Sequence, residues 1–250
     1  MHGTTILTVV LVGGAVGFLG GLFGKGGSAI ASPLLGAAGI APIVAVASPL
    51  PATIPGMLAA SAAYWRERFV DWHVVCWSIA VGVPATAAGA YATRWIGGGP
   101  LLVASEALLA ALGVRLLVHP DDPTEVAAAP TGERIRLVAI ALVVGAFSGL
   151  LANGGGFLLA PLYVLVMRMP IKQAFASSLI VATALAVPGT IIHAALGHID
   201  WVLVGAFSVA ALPLSYLGAR VAIRTEGAHL QRIYGAMLLL LGICTLALNA

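Results

Sequence analysis

The stretch Gly14–Leu34, GAVGFLGGLFGKGGSAIASPL, decides the fold because the chain writes it a second time as GAFSGLLANGGGFLLAPL, Gly145–Leu162. At an offset of 128, Gly17 falls on Gly145, Gly21 on Gly149, Leu22 on Leu150, Gly26 and Gly27 on Gly154 and Gly155, and Pro33 and Leu34 on Pro161 and Leu162. In each copy an apolar helix runs into a glycine cluster, and a second apolar stretch leaves it with a proline about two turns in. Glycine frees the backbone from helical geometry and proline removes an N–H, so the pattern predicts a helix broken inside a membrane. The copies differ at the break itself, where the first carries Lys25 and the second Asn153.

The composition around this repeat agrees with a bilayer. The chain has 250 residues, 60% hydrophobic and 8% charged, against about 45–50% and 25% in soluble domains. The apolar residues come in blocks of roughly 14 to 24, the length of membrane helices rather than of the short alternating strands of a barrel. The longest polar stretch, His119 to Arg136, is too short for a soluble domain. The formal charge of +3 sits in loops, where it reports orientation and gives no reason to expect nucleic acid. Cys76 and Cys244 fall in apolar segments and are expected as free thiols, which leaves the redox compartment open. The first 23 residues lack the basic start of a signal peptide and their tail from Gly17 belongs to the repeat, so they read as a retained first helix.

Apolar segments run from about Ile6 to Phe23, Gly26 to Ile40, Ile43 to Tyr64, Trp72 to Thr93 and Leu101 to Val118, and then from Leu137 to Ala152, Gly154 to Met167, Ala174 to Leu196, Trp201 to Ala222 and Leu230 to Leu248. The repeat continues through them: Asp71-Trp72 matches Asp200-Trp201, Pro84 matches Pro213 and Gly89 matches Gly218. The expected fold is all-α, a polytopic membrane helix bundle of two inverted repeats, each with a glycine-tipped broken-helix hairpin plus three spanning helices. Residues 1–118 form the first repeat, 119–136 a cytoplasmic linker and 137–250 the second repeat.

Five segments per half require the second half to enter from the opposite side, and loop charges test this. Arg66 and Arg68 follow segment three, whereas its counterpart loop, Gly197 to Asp200, has no Lys or Arg. Gly39 to Pro42, after segment two, is uncharged, whereas its counterpart carries Arg168 and Lys172. Both termini outside and the linker inside leaves ten of the 12 basic residues cytoplasmic, with Arg94 outside and Lys25 within the membrane. Segments one and two of each half are short, so the hairpins are expected to turn back before crossing and to bring both glycine clusters near the bilayer middle.

The candidate substrate site follows. Lys25 at depth costs about 2.5 to 3.5 kcal/mol unless a polar cavity or partner compensates it; the alternative is a shallow tip from which it snorkels to headgroups. Gly26, Gly27, Gly154, Gly155 and Gly156 offer backbone N–H groups to an anion, and Ser28 and Asn153 offer side-chain donors. The run SPLPATIPG, Ser48–Gly56, and its counterpart Ala176–Gly189 suggest locally unwound helices, which makes Ser48, Thr53, Ser177 and Ser178 second-tier lining candidates. Hydroxyls satisfied by a carbonyl one turn back are the plainer reading. Glu106 and His193 are candidates for coupling or gating, with a proton or sodium ion as the coupling partner. Asp71 and Asp200 read as helix caps, and Trp72 and Trp201 as interface anchors. No metal-ligand spacing occurs and no cofactor is implied.

The two clusters with their prolines, Gly26-Gly27-Ser28 to Pro33 and Gly154-Gly155-Gly156 to Pro161, in a duplicated chain of this length, resemble the TauE/SafE sulfite exporter family, also called the TSUP family. The resemblance covers essentially the whole chain. It implies a prokaryotic inner-membrane transporter of sulfur-containing anions such as sulfite, thiosulfate or organosulfonates. Lys25 stands where the family commonly has a small apolar residue and Ser28 where a third glycine is common, and both changes suit an anion. An anion channel of the same architecture is a rival reading. An intramembrane serine protease built on Ser148 and His193 is another, opposed by the missing glycine pattern before Ser148 and by its alignment with Gly20.

Overall fold

The computed structural model describes residues 3–24, 28–92, 110–118, 132–151 and 156–249, and among them every regular element is a helix. In chain order these are α1 (Gly3–Leu22), α2 (Ser28–Ala37), α3 (Pro42–Ala47), α4 (Pro49–Arg66), α5 (Trp72–Ala92), α6 (residues 110–118), α7 (Glu133–Leu151), α8 (Gly156–Leu165), α9 (Ile171–Ala195), α10 (Trp201–Arg224) and α11 (Gly227–Asn249). Five helical stretches among the described residues are long and apolar enough to cross a membrane: Thr5–Leu22, Pro42–Arg66, Trp72–Ala92, Ile171–Ala195 and Trp201–Arg224. Large apolar side chains such as Leu7, Leu11, Ile191 and Val209 stand exposed on them, as lipid-facing surface should. The chain is an all-α polytopic membrane bundle.

Helix ends follow local chemistry. The Asp200 carboxylate accepts from the N–H groups of Val202 and Leu203, and that of Asp71 from His73 and Val74, satisfying donors that a helix start leaves orphaned. Trp72 and Trp201 then open their helices with exposed rings. At the far end of α9, Gly197 turns left-handed (φ 71°) and the His198 N–H reaches back to the His193 carbonyl; Arg68 does the same after α4 (φ 60°), with Phe69 N–H on Tyr64.

The first break falls where its glycines predict, with Gly24 left-handed after α1, and the described helices on either side of each glycine cluster are unequal. α1 and α7, of 20 and 19 residues, reach about 30 and 28 Å, nearly a full hydrocarbon core, whereas α2 and α8, of 10 each, reach about 15 Å. The proline-rich stretch is interrupted at a single residue, Ser48, which stays in right-handed helical geometry (φ −67°, ψ −32°). Its counterpart is not unwound: α9 runs unbroken for 25 residues through Pro188, since one missing N–H leaves the rest of the ladder intact.

Packing crosses between the halves. α1 lies on α10 through Gly17 and Gly21, set against the backbone of Ala211 and Ser215, and α7 lies on α5 through Gly145 and Gly149, set against Gly82 and Thr86. At Gly17 an added Cβ would sit 2.6 Å from the Ala211 Cα, so the approach requires a residue without a side chain. Ser48 Oγ accepts from the Asp200 N–H at 3.1 Å, and its counterpart Ser177 accepts from the Asp71 N–H at 3.1 Å. α9 lies at the centre, with Phe175, Ala176, Leu179, Val181 and Ala182 fully buried.

One end of the bundle gathers basic residues. Lys172 Nζ donates to the Ile223 carbonyl at 2.8 Å and lies 5.9 Å from the Phe69 ring centre, while Arg136 donates to the Val166 carbonyl at 3.4 Å. These contacts bring the α4–α5 turn, the α8–α9 turn, the C-terminus of α10 and the start of α7 to one level.

Candidate functional site

The first break is held from the second half. After α1, Gly24 turns left-handed (φ 62°) with its Cα against Phe175, leaving no space for a side chain. Its carbonyl accepts the Ser178 hydroxyl at 2.7 Å. One turn earlier the Tyr64 hydroxyl donates to the Gly21 carbonyl at 3.2 Å. Phe23 stacks on Tyr234 (ring centres 5.5 Å apart), and Tyr234 meets Phe175 edge-on at 4.9 Å, so three rings wall the break. Tyr234 is completely buried, and its hydroxyl has no hydrogen-bond partner among the described residues. Such a group is costly unless something else satisfies it. No sequence signal marks it, because a tyrosine in an otherwise apolar helix reads as core.

Of the sequence-derived site residues, Lys25, Gly26, Gly27, Asn153, Gly154, Gly155 and Glu106 lie outside the described residues. Ser28 and Gly156 are the first residues of α2 and α8. Ser48 and Ser177 are fully buried and hold the starts of α10 and α5 through Asp200 and Asp71. Thr53 donates to the carbonyls of Pro49 and Leu50, the local satisfaction expected of a helical threonine. It also lines a narrow cavity of about 10 Å³ with Gly17, Gly20, Gly21 and Ser215. Ser178 is the one of these four that touches a glycine break.

Below the second break, Ser148, Gly149, Thr86, Ala90, Leu50 and His193 line a chamber of about 30 Å³. His193 Nδ1 lies 3.2 Å from His198 Nδ1. The chamber brings Ser148 and His193 together, yet Ser148 Oγ has no hydrogen-bond partner among the described residues, so the serine–base contact that nucleophilic catalysis needs is not made. The first break and the Ser148 chamber also meet α9 at different levels. Ser178 marks the first and His193 the second, 15 residues or about 22 Å apart along the helix.

An all-α bundle with five helical stretches long and apolar enough to cross a membrane, a break at Gly24 and lipid-facing apolar surface is a polytopic membrane protein, and its relatives are membrane transporters. Residues 9–245 match the family described as "Sulfite exporter TauE/SafE", and the chain belongs to that family. It is 29% identical to a "Probable membrane transporter protein" of Xylella fastidiosa (strain 9a5c), over 96% of this chain and 94% of the relative. It is 26% identical to the "Probable membrane transporter protein YjnA" of Bacillus subtilis (strain 168), over 95% and 98%. No solved structure matches the chain. The relatives are named as transporters, not enzymes, and the protease reading is set aside.

Proposed function

We propose that the protein moves a small sulfur-containing oxyanion (sulfite, thiosulfate or an organosulfonate) across a prokaryotic inner membrane by alternating access, binding it at the first glycine break. The observation that carries this reading is the buried Tyr234 hydroxyl, without a hydrogen-bond partner among the described residues, whose ring rests on Phe23 two residues before Lys25 in the chain. An oxyanion is rich in acceptors and supplies what that hydroxyl lacks. Lys25 provides the opposite charge, and the first N–H groups of α2, with Gly26, Gly27 and Ser28, provide further donors. Asn153, Gly154, Gly155 and Gly156 play the neutral counterpart role at the second break.

The levels at which the first break and the Ser148 chamber meet α9 favour a path with a glycine break toward each end over one midplane cradle. The halves run in opposite directions in this reading, with both termini outside, because Arg136, Lys172 and the turn after Arg66 and Arg68 share one end of the bundle. Exchange between two near-equivalent packings of inverted halves then opens each end in turn. Proteoliposome flux of 35S-labelled sulfite, thiosulfate and methanesulfonate tests it: saturable uptake accelerated by substrate on the far side is expected. Flux linear in concentration would favour a channel, and no flux of any of the three would overturn the substrate class.

A further inference from the structure

We infer that His193 and His198 form a one-proton site feeding the Ser148 chamber, and that a proton is the ion this transporter couples to its substrate. The inference rests on the transport reading above and adds the coupling ion and its site. It starts from a comparison within the molecule. The end of α4 and the end of α9 are built alike, each with a left-handed residue and a backbone bond from the following residue to the carbonyl five positions back. In the first half the side chains brought together by this motif are Tyr64 and Phe69, ring centres 6.5 Å apart. In the second half the same positions hold His193 and His198, ring centres 5.4 Å apart with Nδ1 facing Nδ1 at 3.2 Å. The motif closes on an apolar contact, so two imidazoles are not there to make the turn.

The chamber beside them has a hydroxyl at a position where its counterpart has a glycine. Ser148 stands at the position of Gly20, is only 3% exposed, and leaves Oγ unpartnered among the described residues. Ser215 and Thr86, the matched hydroxyls of the two cavities, are both satisfied by carbonyls, Gly17 at 2.9 Å and Gly82 at 2.8 Å. A space of about 30 Å³ holds one or two waters, and water is the group that satisfies Ser148 and links it to His193. The field selects the ion. His193 lies in the last turn of α9, whose C-terminus turns its partial negative charge on the chamber. That favours a cation and disfavours the anionic substrate, and an imidazole in the lining makes the cation a proton.

The proton balance is explicit. In the neutral pair one ring donates its Nδ1–H to the other ring's Nδ1. An added proton from water takes the free Nε2 of the donor ring, which leaves the bridge in place and strengthens it by charge. A second proton has to take the accepting Nδ1 and breaks the bridge. Leu50 from α4, Thr86 and Ala90 from α5, and Ser148 and Gly149 from α7 line the chamber without titrating. Asp200, two residues after His198, is engaged in capping α10, and Tyr91, next to Ala90, is largely exposed.

Two measurements test this separately. In lipid nanodiscs, 15N-histidine spectra assigned with His193→Gln and His198→Gln should show a scalar coupling between the two Nδ1 atoms across their hydrogen bond, lost in either variant; two rings without that coupling would overturn the site. In proteoliposomes, one proton per substrate over one pH unit allows about ten-fold accumulation of 35S-labelled sulfite. His193→Gln and Ser148→Ala should lose that accumulation, while counterflow exchange stays measurable. Sulfite flux indifferent to the pH gradient, or driven by a sodium gradient alone, would overturn proton coupling and leave the transport reading standing. If no sulfite moves at all, the transport reading fails and the spectra alone decide the histidine site.

Discussion

Ser178 Oγ lies 2.7 Å from the Gly24 carbonyl oxygen, joining the centre of the second half to the last described residue before the first break. The same hydroxyl is 3.0 Å from the Phe175 carbonyl one turn back, so it chooses between a bond within its own helix and one to the break. Ser178→Ala should therefore cost about 0.5 to 1.5 kcal/mol of stability. Gly24→Ala should cost more, because a left-handed residue with a Cβ is strained by about 1 to 2 kcal/mol and the Cβ has only Phe175 to enter. Thermal unfolding in detergent ranks the two, and a Gly24→Ala protein as stable as wild type would contradict the described packing of the break.

Tyr234→Phe should separate stability from binding. Removing a buried hydroxyl that has no partner among the described residues relieves a desolvation cost of about 1 to 3 kcal/mol, so the apo protein should melt at the same or a higher temperature. Substrate affinity should fall about ten-fold or more, the loss of one hydrogen bond to a charged group. Calorimetry of the bound anion alongside melting curves reads both; unchanged affinity would remove Tyr234 from the site.

The first break and the caps are legible in the chain because each rests on local chemistry: glycine interrupts a helix at Gly24, and Asp71 and Asp200 cap one. What was not legible depends on which surfaces meet. Gly17 and Gly149 announce close packing, but nothing local says that Gly17 meets Ala211 and Gly149 meets Thr86 across the halves. Ser48 and Ser177 read as equals of Ser178 from their neighbours alone, yet long-range contacts give the first two to helix starts and the third to the break. His198 drew no notice beside His193, since a turn residue faces a helix residue five positions back through the Gly197 geometry.

Opposite orientation of the halves can be read at matched positions. Glu67 and Leu196 are counterparts at offset 129, and both are exposed, each the last residue before a left-handed turn. Single cysteines at Glu67 and Leu196, in a background lacking Cys76 and Cys244, should be labelled by a membrane-impermeant thiol reagent only from the cytoplasm and only from outside, respectively. A cysteine at the exposed Arg168 should behave as Glu67 does; Met169 beside it is 7% exposed and a poor target. Labelling of Glu67 and Leu196 from one face would sink the inverted arrangement.

Lys25 should be the main electrostatic determinant of anion binding. Lys25 follows the buried Phe23 by two residues, and a lysine enclosed by the break needs compensation for its lost water. In sequence its counterpart region, Asn153 to Gly156, contributes only neutral groups. Around the described flank of the break, Phe175, Ser178 and Tyr234 bring no negative charge either. An acceptor-rich substrate anion then completes the site, with Lys25 as point charge and the Tyr234 hydroxyl and α2 N–H groups on its remaining oxygens. Lys25→Ala should reduce affinity by about 30-fold or more, the 2 to 5 kcal/mol expected when one member of a buried charge pair is removed. Lys25→Arg should be damaging as well, because a planar head larger than an ammonium must fit a turn where Gly24 already touches Phe175. Calorimetric affinity for the transported anion, in variants shown to fold by their melting curves, decides the point. Wild-type affinity in Lys25→Ala would place the lysine among the headgroups and leave Tyr234 and the glycine backbone as the whole anion site.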